Sequence, residues 1–255
     1  MVHPPQIVAT PLSSSTIGAT SPLGRVAPVS LTSDCYHQIK QAILRLDFLP
    51  GTPLVEAQLA AQLGTSKSPI REALLRLAAE QLVLTNHGRS CVVAGLTIAK
   101  IQEWYHLRRI LEPASLADVV DHMTSLAIAS LRDAIEATRI AHAEADLHGF
   151  VQGSESFHAR LIELNPNRTL VEFVTSLFEH IRRVRVALYR FDRPRQIEEG
   201  IGHGIERHTA VVDALAERDL ERAQEMLRHD IQVFLDRLQD PVILADLAQL
   251  TFRRR

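Results

Sequence analysis

The sequence predicts a mainly α chain in two parts: a small α+β domain near the N-terminus, then a larger all-α bundle. Three observations carry this. Ala and Leu are plentiful while aromatics make up 5% of the chain, a composition that favours helices over sheets. The only β-rich stretch is LVLT (82–85) and SCVV (90–93). From Thr97 onward the apolar residues recur at helical spacing.

Residues 1–30 are rich in Pro, Ser, Thr and Gly, lack periodicity, and are expected to form a disordered tail. A helix is predicted from about Ser33 to Leu46, with Tyr36, Ile39, Ile43 and Leu46 on one face and Pro50-Gly51 breaking it. Two short helices follow, near Val55–Leu63 and Lys67–Gln81, joined by Gly64-Thr65-Ser66. Asn86-His87-Gly88-Arg89 then reads as a hairpin tip, with Gly88 supplying the positive φ such tips need. Six more helices are expected near 98–122, 125–145, 147–164, 167–191, 197–218 and 219–239, with Asn165-Pro166-Asn167 and Asp192-Arg193-Pro194 among the breaks. The expected domains are 31–95 and 96–240, and residues 241–255 read as a loosely held tail.

The 255 residues leave room for two cores. No apolar run approaches the roughly 18–20 residues needed to span a bilayer. The N-terminus lacks the basic region of a secretory signal, and Cys35 and Cys91 form neither a framework nor a CxxC pair. A cytoplasmic protein is expected. Net charge is +1 over 1–30, +1 over 31–95 and −4 over 96–255, which sums to the formal −2. With no polycationic segment, any contact with nucleic acid depends on local placement of charge.

Helix, helix–turn–helix, hairpin is the order of a winged helix-turn-helix, whose second motif helix presents its N-terminus to the major groove. Ser66 is suited to N-cap that helix, and Pro69 falls in the first turn, where a missing N–H costs little. Thr65, Ser66, Lys67 and Ser68 would then face DNA phosphates, with Arg71 one turn on from Lys67, able to reach a guanine edge or a phosphate. Ala73, Leu74, Leu77 and Leu82 would face the core. The competing reading is an ordinary solvated basic face.

The stretch LPGTPLVEAQLAAQLGTSKSPIREALLRLAAEQLV resembles the DNA-binding domain of the GntR family of bacterial transcription regulators. The likeness lies in the PG turn, L-x-E-x-x-LA, LG-x-S-[RK]-x-P-[VI]-REAL-x-RL and the HG tip, over about residues 33–95. It implies DNA contacts from Ser66, Lys67, Ser68 and Arg71, and from His87, Gly88 and Arg89 at the wing. Lys67 stands where the family usually has Arg, and a lysine lacks the fork that makes a bidentate guanine contact. Ala57 replaces an Arg of some members.

The segment 98–240 resembles the all-helical FCD effector domain of the FadR-type branch. The anchors are LRRILEP (107–113), SESFHARLIELNPN (154–167), ERHTAVVDALAERD (206–219) and AQEMLRH (223–229). The resemblance implies a divalent metal at His158, His208 and His229, each on its own helix and each otherwise readable as a satisfied core histidine. The family's Asp four residues before the first histidine is Ser154 here, a poor ligand. Glu155 is the candidate fourth ligand, and Zn²⁺ or Ni²⁺ suits the imidazoles best. Arg108 matches the Arg of R-x-x-L-E; it is expected either to fork onto an effector carboxylate or to pair with Glu112 one turn on.

The function these expectations describe is a homodimeric regulator binding a palindromic operator. A small organic acid, sugar acid or amino acid, with a carboxylate favoured, would release the DNA, as for a repressor. The alternatives are a metal-dependent enzyme built on three histidines and a helical ligand-binding adaptor. The enzyme reading is disfavoured, since no HExxH, G-x-S-x-G or phosphate-binding Gly loop is present.

Overall fold

A computed structural model describes residues 30–86, 90–191, 194–241, 243–245 and 247. Helix α1 spans Ser30–Leu44, strand β1 Pro53–Leu54, α2 Glu56–Gln62, α3 Lys67–Ala79, β2 Val83–Asn86 and β3 Ser90–Val93. The larger body holds α4 (Ile98–Val120), α5 (Ser125–Ala143), α6 (Leu147–Glu163), α7 (Arg168–Phe191), α8 (Pro194–Ala216) and α9 (Leu220–Arg237). The fold is thus mainly α with one small sheet, as the composition implied.

The head is organised by a single apolar cluster. Tyr36, Ile39 and Ile43 of α1 meet Ile70, Ala73, Leu74 and Leu77 of α3, and Leu82, Val83 and Val93 close the bottom. Gly64 sits at φ +63°, a left-handed turn that glycine takes without the strain a Cβ would add, and it aims α3 across α2. The expected hairpin forms with Val83 opposite Val93 and Asn86 opposite Ser90. One strand escaped the sequence reading. Pro53-Leu54 adds to the free edge of β3, giving the order β1-β3-β2, and two residues are too few to show alternation.

The bundle is capped by side chains that its sequence supplies. Thr97, Thr124, Asp146 and Asp219 accept from the backbone N–H three residues on, at the starts of α4, α5, α6 and α9. These bonds satisfy donors that each helix start leaves open. The expected loose tail is corrected for its first part: Ile243 and Leu247 are buried in the bundle core, which their apolar surface favours. The N-terminal tail lies outside the described residues, apart from Ser30, which begins α1.

Helices α5 and α6 touch backbone to backbone at Gly153. A Cβ there would fall 2.9 Å from the backbone N of Thr138 and 3.0 Å from its Cα. Backbone cannot yield as a flexible side chain can, so α6 can approach this closely only because residue 153 is glycine. Gly153→Ala should therefore destabilise the protein by about 1–3 kcal/mol despite alanine's better helix propensity. Denaturant unfolding checks this: an unchanged or higher midpoint would contradict the close packing.

Candidate functional site

The reading head presents the expected helix end. Ser66 occupies the N-cap position of α3 with extended backbone, and its hydroxyl makes no capping hydrogen bond. Ser66, Lys67, Ser68 and Arg71 are exposed together on the first turn and a half. Arg71 is held by Glu56 of α2 in a two-point fork, Nε to Oε1 at 2.9 Å and Nη2 to Oε2 at 2.8 Å. Arg76, the third basic residue of the helix, lies 4.0 Å from the centre of the Tyr36 ring, a contact inside the head and away from the exposed first turn. The wing-tip residues His87, Gly88 and Arg89 lie outside the described residues.

A second polar cluster is enclosed by the bundle. Arg108 and Glu112, one turn apart on α4, form a buried ion pair, with Arg108 Nε donating to Glu112 Oε1. The other Glu112 oxygen is 2.8 Å from His158 Nδ1. A carboxylate only accepts, so Nδ1 carries a hydrogen, and in the neutral ring the lone pair is then on Nε2. That Nε2 lies 3.6 Å from Asp230 Oδ2, and His208 Nε2 lies 3.4 Å from the same oxygen. His158, His208 and Asp230 each offer a ligand atom, all within 4.8 Å of one another. Arg207 steadies the other Asp230 oxygen at 2.9 Å.

Electrostatics keep this group in defined charge states. Burial pushes the Glu112 carboxyl upward, but the Arg108 charge and His158 overcome it and hold it down at about 2. Burial lowers His208 to about 4 against the opposing pull of Asp230, so its imidazole is neutral near pH 7. Burial opposes the charge of Asp230 as well, yet its histidine neighbours keep it well below the usual carboxylate range. A neutral imidazole and an ionised carboxylate are the forms that bind a cation.

The cluster opens into a cavity of about 70 Å³, lined also by Tyr105, Ser154, Arg185, Arg207 and Phe234. Arg185 donates to Ser154 Oγ at 2.7 Å, at the position where the resembling family has its Asp. His158 and His208 stand where expected, but His229 does not join them. It is exposed, while its neighbour Asp230 turns inward. On a helix Asp230 lies about 60° from the buried Leu227, whereas His229 lies about 160° away. Glu155 does not reach the cluster either; Arg182 takes both its oxygens, at 2.6 and 2.5 Å. Arg108 lines the cavity, but of its two expected partners the structure shows Glu112. Asp230, Arg185 and Arg207 were missed. Asp230 could have been found from its place three residues after Leu227 and one before Ile231.

Comparison with known proteins agrees with both halves. Residues 31–93 match bacterial regulatory proteins of the gntR family, and residues 103–233 match the FCD domain. The Nta operon transcriptional regulator of Aminobacter aminovorans is 30% identical over 195 residues, covering 75% of this chain and 86% of the relative. A solved structure of Escherichia coli McbR/YncC superposes with a TM-score of 0.72 at 24% identity, over 83% of this chain and 98% of that one. A GntR-type regulator structure from Rhodococcus sp. RHA1 gives 0.68 at 25% identity, over 82% and 97%. The chain belongs to the GntR family of transcription regulators, with an FCD domain. Its relatives are regulators and not enzymes, which removes the metal-dependent enzyme from consideration. Among the described residues, no helix is long and apolar enough to cross a membrane.

In this GntR regulator the two bodies meet along α7. Lys40 of α1 bonds Glu80 at 3.0 Å within the head and Glu179 of α7 at 2.7 Å across the junction. Arg183, fully buried on α7, donates to the carbonyl of Ala94 in the linker. His180 stacks on Trp104, ring centres 4.7 Å apart. Burial, reinforced by the charges of Arg183, Lys100 and Lys40, lowers His180 to about 4, against one acceptor, the Glu80 backbone. A base depressed on folding contributes stability above its unfolded value, near 6.5, and loses it as pH falls toward 4. His180 should thus remove up to about 3 kcal/mol across that window. Comparing denaturant midpoints of wild type and His180→Phe at pH 7 and pH 4.5 checks this. Equal losses in the two proteins would contradict it.

Proposed function

We propose that this regulator acts as a homodimer on a palindromic operator in the cytoplasm and senses a small carboxylate metabolite through a divalent metal. The observation that carries the sensing half is the meeting of His158, His208 and Asp230 at the wall of an arginine-lined cavity. Two imidazoles and a carboxylate suit Zn²⁺ or Ni²⁺, and Asp230 supplies the anionic ligand that Ser154 cannot. Glu112 serves as the outer partner that fixes the His158 tautomer. The metal would supply a positive centre for the effector's carboxylate, and Arg185 and Arg207, on the same wall, would take the carboxylate's remaining lone pairs.

The DNA half rests on the exposed turn Ser66–Arg71 at the start of α3. Hydroxyls and the helix N-terminus would bind phosphate, while Arg71 would read a base. A head of net charge +1 binds weakly alone, so two copies on a symmetric site are needed for specific affinity. Effector binding is transmitted through α7, which carries Arg185 at the cavity and Glu179 and Arg183 at the head. A change of 1–3 kcal/mol in head placement, the usual size of allosteric coupling, would release the operator.

Two measurements test this. Mobility shifts with upstream genomic DNA should find a site whose affinity drops by about 1–3 kcal/mol in Arg71→Ala. Unchanged affinity and base preference would sink the assignment of α3 as the reading helix. Elemental analysis of protein purified without a His-tag should find about one divalent ion per chain, lost in His208→Ala. Substoichiometric metal in both proteins, with effector binding intact, would refute the metal centre.

A further inference from the structure

The helix offered to DNA brings a carboxylate with it. Glu56 is the first residue of α2, and its two oxygens take the Nε and one Nη2 hydrogen of Arg71. Lys67, one turn earlier on α3, also acts on this carboxyl, which is held below its ordinary range by the Arg71 hydrogen bonds first and by both positive charges next. The two side chains are on the surface, 65% exposed for Arg71 and 30% for Glu56. A negative charge on the DNA-facing side of a head with net charge +1 opposes phosphate binding. A loop residue, or no charge at all, would serve non-specific affinity better.

The guanidinium geometry gives the carboxylate a use. Arginine carries five N–H donors in one rigid plane, and Glu56 engages the edge formed by Nε and Nη2. The edge formed by the two Nη atoms has donors left over that meet no partner among the described residues, on a side chain that is exposed. Those donors match the O6/N7 pair of guanine, the base edge that arginine reads in the major groove. A long side chain gripped on one edge also has less freedom to lose on docking. We propose that Glu56 is a positioning and specificity-determining residue: it fixes the plane of Arg71 so that the free Nη edge meets a guanine, and it repels phosphate wherever that guanine is absent.

The proposal rests on the reading of Arg71 as a base contact, and the test separates the two. Full-length protein and the variants Arg71→Ala, Glu56→Ala, Glu56→Gln and the Arg71→Ala/Glu56→Ala double are each used to select from a randomised duplex pool. Affinity is then measured on the wild-type winner and on a scrambled duplex. Arg71→Ala and Glu56→Ala should relax the preference at the same base pair. Glu56→Ala should bind scrambled DNA more tightly and lose about tenfold in the ratio of specific to scrambled affinity. Glu56→Gln should fall between Glu56→Ala and wild type, and the double variant should be no less selective than Arg71→Ala, because a positioning residue has nothing left to position.

Relaxation at a different base pair in Glu56→Ala would instead mean that Glu56 itself accepts from a cytosine amino group, and would overturn the proposal. Tighter specific binding with unchanged preference would make Glu56 a competitor for Arg71, which also overturns it. If Arg71→Ala relaxes a base and the Glu56 variants do not, Glu56 alone is misassigned. If Arg71→Ala changes no preference, the base-reading role of Arg71 fails first, and the role of Glu56 with it.

Discussion

The bundle is built around a chain of charges that cannot be broken cheaply. Arg108 pairs with Glu112, Glu112 with His158, His158 and His208 face Asp230, and Asp230 is held by Arg207. These residues come from α4, α6, α8 and α9, so the relative register of four helices is written in one polar contact set. Removing one member of a buried pair costs about 3–5 kcal/mol, because its partner is left charged and dry. Apolar packing tolerates a slip by rearrangement, but a carboxylate 2.8 Å from an imidazole does not. The same set gathers His158 Nε2, His208 Nε2 and one Asp230 oxygen within 4.8 Å of one another, facing each other across the cavity wall. Structure and the proposed sensing therefore draw on one array.

Helix periodicity made most of the fold legible. The Ile39, Ile43 face of the first helix, the Gly64 turn and the long amphipathic stretches after Thr97 each follow from a spacing that water enforces. Boundaries differ by a residue or three, since helix ends fray and caps decide them. His158 and His208 were legible through the resemblance, and each is buried beside a carboxylate, since an unpaired ring there would be costly. His229, implied by the resemblance alone, misled because it lies on the side of α9 that carries Met226 and Val233, which are half-buried. The deeper row is Ala223, Leu227, Ile231 and Leu235, and a residue turns through 100° per step, so the choice of row decides which neighbour points inward. Asp230 was overlooked for a chemical reason: an acid next to an apolar row reads as surface unless its cation is known, and Arg207 belongs to another helix. Arg185 was hidden in the same way. Its role comes from Ser154, 31 residues earlier in the chain.

At the head, sequence showed which residues cluster but not what restrains them. Lys67, Arg71 and Arg76 look alike in the one-letter code, yet each meets a different partner. Arg76 lies on Tyr36, Arg71 is gripped by Glu56, and Lys67 stands exposed at the helix start. Only the second arrangement leaves a cation both oriented and facing outward. An exposed ion pair contributes little to stability, so the Glu56–Arg71 fork has more to offer recognition than folding.

The junction between head and bundle completes the connection. Helix α7 is continuous from Arg168 to Phe191, and along one length it carries Glu179 to Lys40, His180 to Trp104, Arg183 to Ala94 and Arg185 to the cavity. Arg183 is poorly satisfied at this junction. It is fully buried, its Nε and Nη1 have no hydrogen-bond partner among the described residues, and burial lowers it to about 10. A buried guanidinium so poorly matched weakens the arrangement that contains it. The ion pair from Lys40 to Glu179 pulls the other way. A junction in which one contact opposes another sits nearer to balance than a fully satisfied one, and a modest ligand free energy is enough to tip it. In the proposed function, a rigid helix joining such a junction to the cavity turns occupancy at one end into head placement at the other.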